Sequence, residues 1–161
     1  MKKKVLFVCM GNICRSPAGE CIFRSYLTDM GIEDDFLIDS AGTTAYHIGE
    51  SPDPRMRRAG SERGVEIVGR GRQFETDDFD RFDLIVAMDR ENLRDILRLD
   101  PRSRHRDKVH LLCQFIPDSP SQDVPDPYYG GSGGFDHVMD LIEEACPGIL
   151  EKLQNGCEAQ R

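Results

Sequence analysis

The sequence predicts an α/β fold in which a parallel β-sheet is covered by helices on both faces. Short apolar runs alternate with segments of helical periodicity, the order produced when each strand is followed by a right-handed crossover helix. The first run, residues 5–8, is apolar at every position, as expected of a central strand buried on both faces. No internal repeat or long linker divides the chain, so we expect one domain over residues 1–161.

Local signals place the individual elements. The first helix is predicted to begin after Ser16, because serine is a favourable N-cap, Pro17 suits the first helical position and Gly31 follows the end. The other elements are strands at residues 36–38, 83–88 and 109–113, a helix at 54–63 closed by Gly64, a helix ended by Pro101, and a last helix over about residues 135–153. Pro147 lies inside the last helix, where a kink or break is expected.

Composition and charge argue against several classes of protein. The net charge of -8 argues against nucleic acid or an anionic membrane surface as partner, because both require a basic face. An anionic substrate would therefore need a locally positive site. No apolar stretch reaches the roughly 20 residues of a transmembrane helix, and residues 5–8 are too short for the core of a signal peptide. We expect a cytoplasmic protein.

The cysteines do not predict a disulfide framework or a metal site. Six cysteines are scattered over a chain large enough to fold without disulfides. No Cys-x-x-Cys pair is present and the four histidines are dispersed, so no metal is expected. Cys21, Cys113 and Cys146 are interpreted as small buried hydrophobic residues and Cys157 as an exposed one.

The strongest functional signal is the loop Cys9-Met10-Gly11-Asn12-Ile13-Cys14-Arg15-Ser16, at the end of the first strand. Ligands of such folds bind beyond the carboxyl ends of the strands, and the free N–H groups of the following helix favour an anion. Gly11 allows the backbone to turn inward, and Asn12 tolerates a left-handed conformation. We expect residues 10–15 to wrap a phosphate-sized dianion.

Cys9 lies at the mouth of this predicted anion site. The partial positive charges that bind phosphate also stabilise a thiolate, and the Ser16 hydroxyl is placed to donate to the sulfur. Five residues separate Cys9 from Arg15, a spacing that lets the guanidinium curl back and hold two phosphoryl oxygens. These residues predict a nucleophilic phosphatase centre, in preference to a buried cysteine that merely precedes a helix.

A general acid is required because the leaving oxygen must be protonated. Asp126, between Pro125 and Pro127, is a candidate on a rigid loop. Asp-Pro also occurs at residues 53–54 and 100–101, and the residues alone leave the choice open. The adjacent Tyr128 and Tyr129 could either form walls for an aromatic substrate or pack locally.

At these residues the sequence resembles the low-molecular-weight protein tyrosine phosphatase family. The Cys-x5-Arg-Ser loop near the N-terminus and Asp-Pro-Tyr-Tyr near the C-terminus occur in the family's order. The likeness continues through residues 40–43 (Ser-Ala-Gly-Thr), 51–55 (Ser-Pro-Asp-Pro-Arg) and 88–92 (Met-Asp-Arg-Glu-Asn). The resemblance implies a flavodoxin-like three-layer sandwich with a four-stranded parallel sheet, and it implies no cofactor and no metal.

The resemblance also assigns the catalytic roles. Cys9 is the expected nucleophile, Arg15 the clamp on the phosphate and transition state, and Asp126 the general acid and then base. Ser16 is expected to stabilise the leaving thiolate. The implied reaction is hydrolysis of phosphotyrosine monoesters through a phosphocysteine. The expected partner is a phosphotyrosine-containing protein, with tyrosine kinases among the candidates, and the protein is expected to be a monomer or a weak dimer.

Further roles follow from the same likeness. Asn12 and Ser40 are expected to hold the shape of the loop, Cys14 to trap oxidised Cys9 as a disulfide, and three tyrosines to form the substrate walls: Tyr46, Tyr128 and Tyr129. One departure concerns Gly69, which stands where many relatives have a histidine in the network that supports the loop.

Three other functions share the fold or the loop. An arsenate reductase would need two further cysteines near the middle of the chain, and none lies between Cys21 and Cys113. A protein arginine phosphatase has threonine where Ile13 stands, and the larger apolar side chain suits a phenol better. A phosphate-binding module would need neither Cys9 nor Asp126.

Overall fold

The computed structural model describes residues 1–130 and 133–156, apart from the side chain of Tyr129. Its centre is a parallel sheet of four strands in the order β2-β1-β3-β4: β1 (Lys3–Cys9), β2 (Phe36–Gly42), β3 (Leu84–Ala87) and β4 (Val109–Leu111). The helices of the described residues are α1 (Arg15–Asp29), α2 (Pro54–Glu62), α3 (Asp78–Arg81), α4 (Arg90–Leu97) and α5 (Gly133–Asn155). The predicted flavodoxin-like α/β fold is confirmed.

Strand β1 separates two apolar cores. Val5, Phe7 and Cys9 face the core formed with α1, α2 and α5, whereas Leu6 and Val8 face the core formed with α3 and α4. All five side chains are buried. The uniformly apolar run in the sequence therefore has its physical cause in a strand that is covered on both faces.

Helix α2 begins at Pro54 as predicted and ends at Glu62, one residue before the predicted end. Asp53 caps it by accepting a hydrogen bond from the backbone N–H of Arg55 at 2.8 Å, and Pro54 occupies the first turn. Gly64 follows with a positive φ of 76°, a conformation that glycine adopts without steric cost.

The predicted start of α1 is wrong. The helix begins at Arg15 with Cys14 as N-cap, and the carbonyl of Cys14 accepts the first helical bond from the N–H of Ala18 at 3.2 Å. Ser16 lies inside the first turn, with its hydroxyl turned back toward Cys9. The serine is thus used by the loop and does not cap the helix.

The break expected at Pro147 does not occur, because α5 continues through it to Asn155. Proline removes one intrahelical hydrogen bond, but buried side chains anchor the helix before and after this position, among them Ile142, Ala145, Ile149 and Leu153. Tertiary packing therefore outweighs the local cost.

Two short segments also differ from the predictions. Helix α3 was not predicted, since one turn is too short to show a periodicity. Residues 112–113, predicted as the end of β4, belong to a 3-10 turn over Leu112–Phe115. Cys21, Cys113 and Cys146 are buried as predicted, and Cys157 lies outside the described residues. None of the described helices has the length and apolar character needed to cross a membrane.

Candidate active site

The loop that follows β1 lies at the carboxyl edge of the sheet, beside the end of β2. Cys9 pairs in register with Gly42, and the Cys9 carbonyl accepts the N–H of Thr43 at 2.9 Å. A side chain at Gly42 would place its Cβ 2.8 Å from the carbonyl oxygen of Met10. Glycine is required at this position because the loop backbone passes directly over the end of β2.

Two N–H donors and a hydroxyl group converge on the sulfur of Cys9. The backbone N–H groups of Asn12 and Ser16 donate to Sγ at 3.3 and 3.4 Å, and the Ser16 hydroxyl lies 3.0 Å away. That hydroxyl also lies 3.3 Å from the carbonyl of Ala41, to which it can donate instead. Cys9 is 3% exposed, so water contributes little to its solvation. The arrangement suits a thiolate, because each donor interacts more strongly with a negative sulfur.

Asn12 determines the shape of the loop. Its φ of 57° lies in the left-handed region, which costs roughly 1–2 kcal/mol for a residue with a side chain. The side chain makes three hydrogen bonds: Nδ2 donates to the hydroxyls of Ser16 at 2.7 Å and Ser40 at 3.0 Å, and Oδ1 accepts the N–H of Arg72 at 3.0 Å. These bonds offset the cost of the strained backbone.

A second layer of contacts lies behind Ser40, and Gly69 is not part of it. The Ser40 hydroxyl donates to Glu20 at 2.8 Å, and Glu20 forms an ion pair with Arg24 at 2.9 Å. Gly69 has a φ of 136°, and a Cβ at this position would have no neighbour within 4 Å. Glu20 and Arg24 of α1 therefore support Ser40, and position 69 contributes no side chain to this support.

Arg15 is buried beneath the loop, and oxygen atoms of three residues surround its guanidinium. Nη1 donates to Asp89 at 2.6 Å and to the carbonyl of Val124 at 3.0 Å, and Nη2 lies 3.7 Å from a carboxylate oxygen of Asp126. Burial lowers the pKa of Arg15, but the negative charges of Cys9 and Asp89 outweigh this effect and raise it above its ordinary value. The guanidinium therefore remains charged.

Asp89 is a site residue to which sequence analysis gave no role. It follows β3, caps α4 by accepting the N–H of Asn92 at 2.7 Å, and holds Arg15 with its other oxygen. The sequence signal that could have identified Asp89 is a carboxylate directly after the carboxyl end of a central strand.

The structure distinguishes the three Asp-Pro sequences. Asp126 lines the same cavity as Cys9 and Arg15, and its side-chain Oδ1 accepts a hydrogen bond from the N–H of Tyr128 at 3.0 Å. Asp53 instead caps α2 and pairs with Arg55 at 2.9 Å. Asp100 accepts the backbone N–H groups of residues 104 and 105 and does not line this cavity.

The cavity has a volume of about 200 Å³ and is lined by Cys9, Met10, Gly11, Ile13, Cys14, Arg15, Tyr46, His47, Asp126 and Tyr128. Tyr46 and Tyr128 are exposed at its rim, whereas the side chain of Tyr129 lies outside the described part of the chain. His47 was missed by sequence analysis. Its ring would lie 2.9 Å from a Cβ on Gly11, and its Nδ1 lies 2.8 Å from Glu50. The only sequence signal that His47 belongs to the site was its position next to Tyr46.

Cys14 lies in the same cavity but differs chemically from Cys9. Burial is the main cause that raises the pKa of the Cys14 thiol far above its ordinary value, and the negative charges of Asp53 and Cys9 act in the same direction. Cys14 therefore remains protonated and does not compete as a nucleophile. Among residues 1–130 and 133–156, no cluster of three histidine, cysteine or carboxylate side chains could hold a metal ion.

Comparison with known proteins places the chain among phosphatases. A family profile described as low molecular weight phosphotyrosine protein phosphatase matches residues 4–159. A low molecular weight protein-tyrosine-phosphatase of Streptomyces coelicolor is 41% identical over 162 residues, covering 99% of each chain. A protein tyrosine phosphatase structure from Entamoeba histolytica has a TM-score of 0.91 at 39% identity, covering 96% of this chain and 99% of that one. A Drosophila arginine phosphatase has a TM-score of 0.85 at 32% identity, covering 94% and 96%.

Substitution of Asn12 tests how the loop is held. Asn12→Ala removes the side-chain bonds and leaves the left-handed strain, so we expect a loss of about 2 kcal/mol in the free energy of unfolding. Asn12→Gly removes the bonds but relieves the strain, and should cost only about half as much. Urea denaturation measures both losses. Equal losses for the two variants would contradict the account of a strained Asn12.

Proposed function

Because the chain belongs to the low molecular weight phosphotyrosine protein phosphatase family, we propose that it hydrolyses phosphotyrosine monoesters through a phosphocysteine on Cys9. As a member of this family it is a hydrolase. The observation that carries the proposed mechanism is that Cys9, Arg15 and Asp126 line one cavity while two N–H donors and a hydroxyl group converge on the sulfur of Cys9.

In the first step the Cys9 thiolate attacks phosphorus. A sulfur–phosphorus bond forms, the bond from phosphorus to the phenol oxygen breaks, and Asp126 donates its proton to that oxygen. Arg15 holds the phosphoryl oxygens. Among the described residues only Nη1 of its guanidinium makes hydrogen bonds, so its other N–H groups are available to the phosphate.

In the second step water attacks the phosphocysteine. Asp126, now a carboxylate, accepts a proton from the water, and the phosphorus–sulfur bond breaks to release phosphate. The leaving thiolate receives the hydrogen bond of the Ser16 hydroxyl together with the two backbone N–H groups. The residues that make Cys9 a nucleophile thus also make it a leaving group, while Asn12 and Ser40 hold these donors in place.

The cavity wall supports an aromatic substrate. Ile13 is 9% exposed and lines the cavity with Tyr46 and Tyr128, so the substrate ring would meet apolar and aromatic surface. We assign the third wall to Tyr129 by family likeness. A phosphorylated guanidinium is a polar leaving group that Ile13 cannot hydrogen-bond, and this argues against the arginine phosphatase alternative. The absence of cysteines between Cys21 and Cys113 argues against arsenate reduction.

Cys14 is proposed to protect Cys9 during oxidation. A peroxide removes two electrons from the Cys9 thiolate to give a sulfenic acid. The sulfur of Cys14 then attacks the sulfenic acid while its proton passes to the departing hydroxyl, so that a disulfide forms and water leaves. A cellular dithiol reduces the disulfide and restores both thiols. The position of both cysteines on one cavity supports this role.

The proposed partner is a phosphotyrosine-containing protein, with tyrosine kinases among the candidates, and the proposed state is monomer or weak dimer. We place the activity in the cytoplasm, because a thiolate nucleophile requires a reducing compartment.

Substitution of the two loop cysteines tests the assignment of the nucleophile. Cys9→Ser should abolish turnover of phosphotyrosine, because an alkoxide is not available at neutral pH. Cys14→Ser is the matched control and should retain most of the activity. Steady-state kinetics with phosphotyrosine and phosphoarginine measures both variants. Normal turnover of phosphotyrosine by Cys9→Ser would overturn the proposed mechanism. If the wild-type protein hydrolysed phosphoarginine but not phosphotyrosine, the proposed substrate would be wrong.

Substitution of Asp126 tests the general acid. Asp126→Asn should lower kcat/KM for phenyl phosphate, which reports the first step alone, by roughly 10²–10⁴-fold, the range for loss of a positioned proton donor. The loss should be smaller for para-nitrophenyl phosphate, whose leaving group needs less protonation. Asp100→Asn is the control outside the cavity. An equal loss for both esters would indicate a structural role and contradict the assignment.

A further inference from the structure

The net charge of -8 leaves open how an acidic protein attracts a phosphorylated, anionic substrate. Helix α2 provides a local exception. Arg55, Arg57 and Arg58 lie within its first five residues, and its only acidic residue is Glu62 at the last position. The N-terminal half of α2 is therefore strongly basic.

This basic half is fixed directly to the catalytic loop. The N–H of Asp53, the cap of α2, donates to the carbonyl of Ile13 at 2.8 Å. The Arg55 guanidinium lies over the Tyr128 ring at 5.2 Å and donates to the Tyr128 carbonyl at 3.3 Å. Since Tyr128 is a wall of the catalytic cavity, the basic surface begins immediately behind that wall.

A second cavity, the α2 cavity, lies on this side of Tyr128. It has a volume of about 520 Å³ and is lined by Arg55, Arg58, Ala59, Glu62, Gly130, Gly133, Phe135 and Asp136. It is larger than the catalytic cavity, and the proposed chemistry does not use it.

The charged side chains that line the α2 cavity are not equally available to bind a ligand. Arg55 is neutralised by Asp53, which it contacts at 2.9 Å. Asp136 lies 3.5 Å from Arg63, which it shares with Asp140 at 2.8 Å and Glu143 at 3.3 Å. The exposed Arg58 makes no ion pair or hydrogen bond with the described residues. Arg58 is thus a cation without an ion pair among the described residues, and it shares the cavity with Glu62, one turn further along α2, and with the apolar Ala59 and Phe135.

We propose that the α2 cavity receives an acidic side chain of the phosphoprotein substrate, near the phosphotyrosine in sequence, and that Arg58 is the residue that recognises it. The proposal rests on the proposed function and specifies its substrate class. The apolar lining suits the methylene groups of aspartate or glutamate, and Arg58 pairs with the carboxylate. Glu62 leaves the end of α2 acidic, so the cavity selects one nearby carboxylate and not an extended polyanion.

The test uses three phosphotyrosine peptides, with glutamates on the N-terminal side, glutamates on the C-terminal side, or glutamines on both. Arg58→Gln should lower kcat/KM roughly two- to five-fold for one of the glutamate peptides, as expected for an exposed ion pair, and the loss should shrink at high salt. Turnover of free phosphotyrosine should be unchanged. Glu62→Gln should raise kcat/KM for the same glutamate peptide.

Arg57→Gln is the matched control. It removes the same charge from the same helix, but Arg57 lines a different cavity with Ser61 and Val65. If Arg57→Gln and Arg58→Gln act equally on the glutamate peptides, or if neither acts, the proposal is overturned.

Binding separates this proposal from the proposed function. Affinities of the three peptides for Cys9→Ser and for Cys9→Ser/Arg58→Gln are measured by fluorescence anisotropy, which does not require turnover. A wild-type protein that fails to hydrolyse phosphotyrosine would refute the proposed function alone. Equal affinities of the two variants for both glutamate peptides would refute the role of Arg58.

Discussion

The convergence of two N–H donors and a hydroxyl group on one buried sulfur is the constraint on which the site depends. The two donors are backbone N–H groups, so the path of the chain from Cys9 to Ser16 must be held closely. Asn12 meets this requirement through a left-handed backbone and a side chain that bonds to three segments. The backbone strain is local, but the hydrogen bonds that offset it come from β2 and from Arg72 as well as from the loop.

Arg15 connects this loop to the far half of the chain. Asp89 follows β3, and Val124 and Asp126 lie on the segment before α5, yet all three residues surround one guanidinium. Burying an arginine is favourable only when it is well paired, and Asp89 provides that pairing. The same contacts bring the proposed general acid into the cavity of Cys9, so the charge proposed to bind phosphate also assembles the site.

Much of the fold and the first layer of the site could be predicted because their causes are local. An unbroken apolar run indicates a central strand, and a loop with Gly11 and Asn12 before a helix indicates an anion site. The start of α1 was misplaced because the prediction relied on the preference of serine for the N-cap position. In the structure the Ser16 hydroxyl contacts Cys9 and Asn12, and a local preference cannot reveal such contacts. Asp89, His47 and the choice of Asp126 over Asp53 depend on contacts between distant segments. The contact of Glu20 with Ser40 has the same cause.

Direct capture of the intermediate on Cys9 tests the central claim most closely. The wild-type protein is mixed with phosphotyrosine, quenched in acid within milliseconds and digested, and the loop peptide is fragmented by mass spectrometry so that Cys9 and Cys14 are resolved. The account predicts a phosphoryl group on the sulfur of Cys9. A phosphoryl group on another residue, or turnover with an unmodified Cys9 at every quench time, would contradict it.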